Sequence, residues 1–103
     1  LYVSGGQGDG VLNEVERFDP TIACWRTMAP MNVARFLASI VVLERRIYVC
    51  GGSTSMDRAL RSVECFDPKP CTWRAMPPLA QGRYMAVSMA LHGCIYVVGG
   101  YDG

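Results

Sequence analysis

Few residues in this chain are of the types that perform catalysis or bind metals. His92 is the only histidine, and its expected place in an exposed turn makes it unsuitable as the base of a Ser-His-Asp triad. A His/Cys metal site would lack further ligands. Cys65 and Cys71 stand six residues apart with no second cysteine pair, and buried or incidental thiols explain them better than a zinc site. The sequence therefore predicts no enzyme activity, no cofactor and no metal.

A glycine-rich stretch from Gly5 to Gly10 has the composition of a phosphate-binding loop. Its spacing matches neither a dinucleotide fingerprint nor a P-loop, and no Lys-Ser or Lys-Thr follows it. A strand-like segment rather than a helix comes next. We therefore interpret this stretch as a loop between strands.

The elements that position these residues belong to an internal repeat. Val15 to Gly52 and Val63 to Gly100 align without a gap at an offset of 48 residues and share 17 of 38 residues. Leu1 to Gly6 repeats the end of that unit a third time. A period near 50 residues built from short β-type runs is typical of propeller arrays, whose sheets bury their faces against one another.

Each repeat predicts four short strands, separated by turn signals. The first is a continuous apolar run, the second ends in a glycine pair, the third ends in Asp-Pro and the outermost carries a tryptophan. Ranges for one full set are 38–43, 47–50, 63–66 and 73–76, and the corresponding ranges in the other copies are 86–91, 95–98, 1–4, 15–18 and 25–28.

Two local segments allow more than one structural interpretation. His92-Gly93 suits a tight hairpin turn, whereas Glu44-Arg45 at the matching position suits it less well. Residues 33–49 could alternatively form an amphipathic helix, but glycines in the matching segment of the other copy argue against it.

Composition limits the range of partners. The net charge is +1 and 18% of residues are charged, so no strong field favours nucleic acid or an anionic membrane. No apolar run is long enough to span a bilayer, and none resembles a signal peptide. The five cysteines do not recur between copies, which favours a reducing, intracellular and thus cytoplasmic setting.

Both copies share the same series of short patterns: Ile-Tyr-Val-x-Gly-Gly, Val-Glu-x-Phe-Asp-Pro, a tryptophan, Met-x-Pro and a following arginine. Together these patterns resemble the kelch repeat. The resemblance implies an all-β fold, a partial β-propeller of about two kelch blades, each a four-stranded antiparallel sheet. As one domain fragment, the chain would comprise a partial blade at 1–30, a complete repeat at 31–79 and a partial blade at 80–103. Such a fragment would expose two apolar sheet faces.

The sequence is most similar to the Kelch-like family, whose members carry BTB and BACK domains ahead of a six-bladed propeller. That resemblance implies a protein-interaction module that recognises a protein or peptide substrate for a cullin-RING ubiquitin ligase. Contact with cullin would be made through BTB and BACK domains, which this sequence does not resemble. Alternative functions are an actin-binding scaffold and, less favoured, a fragment of a kelch-type oxidase.

Residues identical in both copies are expected to be structural, because a ligand seldom meets every blade in the same way. Charge-assisted contacts are expected between Glu16 and Arg35 and between Glu64 and Arg83, unless these arginines bind anions at the mouth of the ring. The tryptophans offer apolar area between blades. The structural set is Gly5, Gly6, Gly51, Gly52, Gly99, Gly100, Glu16, Glu64, Trp25, Trp73, Arg35 and Arg83.

Positions that differ between copies are the better candidates for binding. The resemblance places the ligand face at 7–13, 53–61, 33–37 and 81–85. Leu37 and Met85 stand where relatives that grip acidic peptides can carry arginine, so we expect an apolar, adaptable surface here, unless these residues instead pack between blades. The predicted partner-binding residues are Phe36, Leu37, Tyr84, Met85, Ser53, Thr54, Ser55, Asp57 and Arg58.

Overall fold

The computed structural model of the chain describes residues 2–8, 10–55 and 58–102. Asp57, one of the predicted binding residues, lies outside them. The regular elements of the described residues are all strands, and none of these residues forms a helix long and apolar enough to cross a membrane. The strands are β1 (Tyr2–Ser4), β2 (Val15–Asp19), β3 (Cys24–Met28), β4 (Ser39–Leu43), β5 (Arg46–Cys50), β6 (Ser53–Ser55), β7 (Arg58–Ala59), β8 (Val63–Asp67), β9 (Thr72–Met76), β10 (Val87–Leu91) and β11 (Cys94–Val98).

These strands form three successive antiparallel sheets and one short hairpin. The first sheet has the order β1-β2-β3, the second β4-β5-β8-β9, and the third β10-β11, while β6 pairs with β7. The second sheet contains all four strands of one repeat in the predicted order. The expected all-β, partial propeller fold is thus confirmed, and residues 33–49 form strands rather than a helix.

The two-residue turns between the first and second strands of a repeat have the same backbone form in both copies. Glu44 and Arg45 have φ of 50° and 64°, and His92 and Gly93 have φ of 52° and 75°. Positive φ at both central residues matches the right-handed twist of a hairpin, and glycine accommodates it with the least strain. The pair without glycine therefore adopts the same turn as the pair that has one.

The sheets stack face to face, and the main core lies between the first and second sheets. Its buried side chains come from both sheets and from the link between them: Val15, Met31, Ile47, Val49, Phe66 and Trp73. Each fully buried apolar side chain of this size contributes about 1.5–3 kcal/mol. Trp73 also donates its indole N–H to the carbonyl oxygen of Ala29 at 2.8 Å, so the tryptophan joins two successive sheets.

The outward faces of the first and third sheets are open, and the face of the third sheet is apolar. Trp25 is 47% exposed, whereas Trp73 at the matching position of the second sheet is 8% exposed. The open face of the third sheet carries five large apolar side chains, each about half exposed: Val87, Met89, Leu91, Tyr96 and Val98. The prediction of an apolar face in contact with water is confirmed for the third sheet.

Candidate functional site

The loops that follow the glycine pairs meet the links that lead into the next sheet. Gly6 donates its backbone N–H to Arg35 at 2.9 Å, and Gly52 donates its own to Arg83 at 2.8 Å. A side chain on Gly51, where φ is 65°, would collide with the same Arg83 carbonyl oxygen. These close approaches explain why the glycine pairs recur, and they place the loops and links of neighbouring sheets at one edge of the molecule.

A buried ion pair fixes the link that precedes the second sheet. Arg35 and Glu64 are 1% and 2% exposed, and the Arg35 Nη2 lies 2.7 Å from the Glu64 Oε2. The second terminal nitrogen, Nη1, donates to the carbonyl oxygens of Gly51 at 2.8 Å and Ser62 at 2.9 Å. Every one of these contacts is charge-assisted and shielded from water, which makes them strong and directional.

The expected pairings of these charges were wrong. Arg35 bonds Glu64 rather than Glu16, and Glu64 therefore does not pair with Arg83. The physical reason is the order of the strands. Arg35 lies in the link just before β4, the first strand of the second sheet, and Glu64 lies on β8, the third strand of the same sheet. Arg83 repeats the Arg35 geometry in part, since its Nη1 donates to the carbonyl oxygen of Gly99 at 3.0 Å.

Glu64 also receives hydrogen bonds from the link itself. The backbone N–H groups of Asn32 and Val33 donate to its two carboxylate oxygens at 2.7 and 3.0 Å. A buried side chain of the second sheet, Glu64, therefore sets the direction of the link that leads into that sheet. Phe36, one residue beyond Arg35, then exchanges two backbone hydrogen bonds with Ser53 at 3.0 and 2.8 Å.

Six of the nine predicted binding residues line one apolar pocket of about 200 Å³ between the second and third sheets, whereas Thr54 and Arg58 do not line it. Among the described residues it is lined by Phe36, Leu37, Ser53, Ser55, Tyr84 and Met85. Phe36 is buried in its inner wall, whereas Leu37 and Met85 are 47% and 58% exposed. Four apolar or aromatic side chains and two serines thus form a concave surface without a charged lining residue in the described part of the chain.

Two short strands, β6 and β7, follow Gly52 in a segment of polar composition. Ser53 to Ser55 pairs with Arg58 to Ala59 as a short hairpin, with an irregular register. Ser53 is buried, and its hydroxyl bonds the carbonyl oxygens of Ser55 and Arg58. Its side chain holds the loop together, whereas Thr54 and Arg58 are exposed and face solvent.

Tyr101 is a neighbour of the pocket that sequence reasoning missed. It exchanges two backbone hydrogen bonds of 2.9 Å with Tyr84, and the two rings lie 5.7 Å apart. Tyr101 directly follows Gly99-Gly100, as Ser53 follows Gly51-Gly52. The repeat position of Tyr101 was therefore the signal that could have found it.

The third sheet begins with the same backbone geometry as the second. Leu37 and Met85 have φ of 57° and 59°, which is unusual for large side chains. Met85 donates its backbone N–H to the carbonyl oxygen of Leu37 at 2.9 Å. This bond joins the two sheets beside the pocket and fixes the distance between its two exposed apolar walls.

The thiols have contrasting environments. All five are free; Cys50 and Cys65 are buried, and Cys24, Cys71 and Cys94 are exposed. Burial raises the pKa of the Cys50 thiol, with a smaller opposing effect from its bond to Ser88. Burial and a hydrogen bond with Cys65 likewise raise the pKa of Tyr48. The Cys50 thiol and the Tyr48 hydroxyl are therefore kept neutral and are not activated nucleophiles.

Other features of the described residues do not form a second site of comparable character. No group of three or more His, Cys, Asp or Glu side chains is placed there to hold a metal ion. A cavity of about 270 Å³ lies between residues 81–83 of the link into the third sheet and residues 99–102 that follow β11. Another of about 390 Å³ lies beside the second sheet, between the turn at 44–46 and residues 67–69 at the end of β8.

Comparison with known proteins connects this geometry to a family. The family model of the Kelch motif matches residues 1–32 and 34–80, which is most of the chain. The chain belongs to the kelch-repeat family. Its sheets are kelch blades, and the pocket lies between two successive blades of a kelch protein-interaction domain.

Its curated relatives are Kelch-like proteins. Human Kelch-like protein 25 is 41% identical over 58 residues, and human Kelch-like protein 33 is 39% identical over 56 residues. Mouse Kelch-like protein 40 is 39% identical over 56 residues. These matches cover 50–54% of this chain, which spans about a tenth of the length of each relative.

Proposed function

We propose that this chain supplies part of the substrate-recognition face of a cytoplasmic cullin-RING ubiquitin ligase adaptor. The single observation that carries the proposal is the apolar pocket between the second and third sheets, since it gathers six residues from two links and a variable loop. Pockets of this kind, with aromatic and aliphatic walls and few polar groups, are where proteins bind side chains of their partners. The similarity to Kelch-like proteins supports an adaptor that binds protein substrates.

The pocket binds without performing chemistry on its ligand. Among the described residues, its lining contains no nucleophile with an adjacent base, and the only histidine in the sequence, His92, lies in an exposed hairpin turn elsewhere. Recognition would come from several loops acting together, with the scaffold residues setting their spacing. A partner would therefore be captured through side-chain packing and then presented to the ligase.

The test uses the complete protein. Tyr84→Ala and Met85→Arg each change the pocket while leaving the Arg35–Glu64 pair in place, and Arg45→Gly in the distant turn serves as a control. We expect both pocket variants to reduce co-precipitation and ubiquitylation of the partner, while cullin association and the control variant remain at the wild-type level.

Two results would contradict the proposal. One is partner ubiquitylation that is unchanged by both pocket variants, because the recognition face would then lie elsewhere. The other is an absence of cullin association together with co-sedimentation with actin filaments that the pocket variants abolish. That second outcome would assign the same face to a cytoskeletal scaffold.

A further inference from the structure

Leu37 and Met85 are held in a backbone conformation that their side chains disfavour. Their φ angles of 57° and 59° lie in the left-handed region, where large residues are uncommon. The other non-glycine residues with positive φ among those described lie in turns between paired strands. Leu37 and Met85 instead precede the first strands of the second and third sheets.

The backbone at these two positions does not itself require a side chain. Its task is to turn the link so that Phe36 bonds Ser53 and the Met85 N–H reaches the carbonyl oxygen of Leu37. Glycine would perform that turn with less strain. Two large apolar side chains stand there instead, about half exposed to water. Strained residues that persist at repeated positions point to a role for their side chains.

The space beside these side chains defines what they can bind. The pocket volume of about 200 Å³ exceeds the roughly 150 Å³ of an apolar cavity that accepts benzene, so one large side chain can enter. The described lining offers no charged group to compensate a buried ionic ligand. An acidic, basic or phosphorylated side chain would lose hydration there without gaining a counter-ion from any of the described lining residues. An uncharged apolar side chain loses nothing comparable.

We infer that Leu37 and Met85 are specificity-determining residues that form the two outer walls of a pocket for one bulky apolar side chain, of leucine, methionine or phenylalanine size, on an exposed segment of the partner protein. The inference rests on the proposed function, because it names the ligand class of the same face. Tyr84 and Phe36 form the remaining apolar walls, and the bond between Met85 and Leu37 holds the two outer walls at a fixed spacing.

The experiment uses the complete protein and a displayed library of random peptides as the probe. Wild-type protein should enrich peptides that share one bulky apolar residue. The double variant Leu37→Gly/Met85→Gly should bind those peptides at least about tenfold more weakly, because it removes both outer walls. Its thermal midpoint should stay at or above the wild-type value, since glycine relieves the strain at both positions.

Two further variants separate wall loss from backbone effects. Arg45→Gly also replaces a residue of positive φ with glycine, but in a turn far from the pocket. This variant should bind the peptides as the wild type does. The exchange Leu37→Met/Met85→Leu keeps two apolar walls and should retain binding within about twofold. Equal binding by the glycine double variant and the wild type would overturn the inference.

Ser55→Trp, which fills the pocket from its hairpin side, distinguishes the two levels of the proposal. If the peptides that Ser55→Trp no longer binds share a charged residue rather than an apolar one, the predicted ligand class is wrong and the recognition face is correct. If no enriched peptide is lost on Ser55→Trp, the face itself is wrong, and the proposed function and the inference both fail.

Discussion

Glu64→Gln is the substitution that most directly tests how the scaffold is held. The carboxylate accepts three hydrogen bonds, at 2.7 Å from Asn32, 3.0 Å from Val33 and 2.7 Å from Arg35. An uncharged amide of the same shape leaves the buried Arg35 guanidinium without its counter-ion and turns one accepting oxygen into a donor. Removing one member of a buried pair destabilises by about 3–5 kcal/mol.

The repeat provides a matched control at Glu16. It occupies the same position in the first sheet but is exposed, and it has no ion pair among the described residues. Glu16→Gln should therefore change the unfolding free energy by no more than about 0.5 kcal/mol. Two isosteric substitutions at equivalent positions thus have widely different expected costs, and the difference comes from burial and pairing.

Urea unfolding followed by tryptophan fluorescence measures both variants on the same scale. Because a small domain has a total stability of about 5–15 kcal/mol, the loss in Glu64→Gln should lower the urea midpoint strongly without a change of slope. Replacing both members with apolar residues, as in Arg35→Met/Glu64→Leu, removes the unpaired charge but leaves the N–H groups of Asn32 and Val33 without their acceptor, so it should recover only part of the loss. Equal midpoints for Glu64→Gln and Glu16→Gln would refute the reasoning.

Three other substitutions give independent checks. Arg45→Gly should stabilise the chain by about 0.5–1 kcal/mol, because glycine adopts the positive φ of this turn more readily; a lowered thermal midpoint would contradict that. Trp73→Phe should cost about 1–3 kcal/mol through loss of the bond to Ala29 and some packing, whereas Trp25→Phe on the open face should cost little; equal losses in urea unfolding would contradict the inter-sheet role. The raised pKa of Cys50 means that the unfolded chain releases this proton from about its ordinary pKa of 9.0 upward while the folded chain retains it, so stability should fall as pH rises through that value. Cys50→Val should flatten this decline in unfolding measurements from pH 8 to 10, and an unchanged slope would count against burial as its cause.

The strands were predictable because their signals are local. Alternation, β-branched residues and turn residues lie within each segment, and the internal repeat supplied the period that joins segments into sheets. The pairing of charges was predicted wrongly because it was taken from the aligned copies 15–52 and 63–100, which separate Arg35 from Glu64. The predicted complete repeat at 31–79 contains both residues, and it is this unit that corresponds to the second sheet.

The pocket was partly predictable. The comparison of copies selected Leu37 and Met85, but it gave no signal that both adopt positive φ, because such a conformation is expected of glycine or asparagine. Nor did polar composition show that the Ser53 hydroxyl is turned inward to close a hairpin. Both features depend on backbone contacts between segments that are distant in sequence.

The link that precedes the second sheet connects the scaffold to the pocket. Glu64 fixes the backbone of Asn32 and Val33, and Arg35 anchors the link at Gly51 and Ser62 before the chain reaches the pocket. Residues that are the same in both copies therefore determine where the residues that differ are placed. A buried scaffold substitution should then weaken partner capture without touching the pocket, and a stability measurement made alongside binding separates that route from a direct loss of contact.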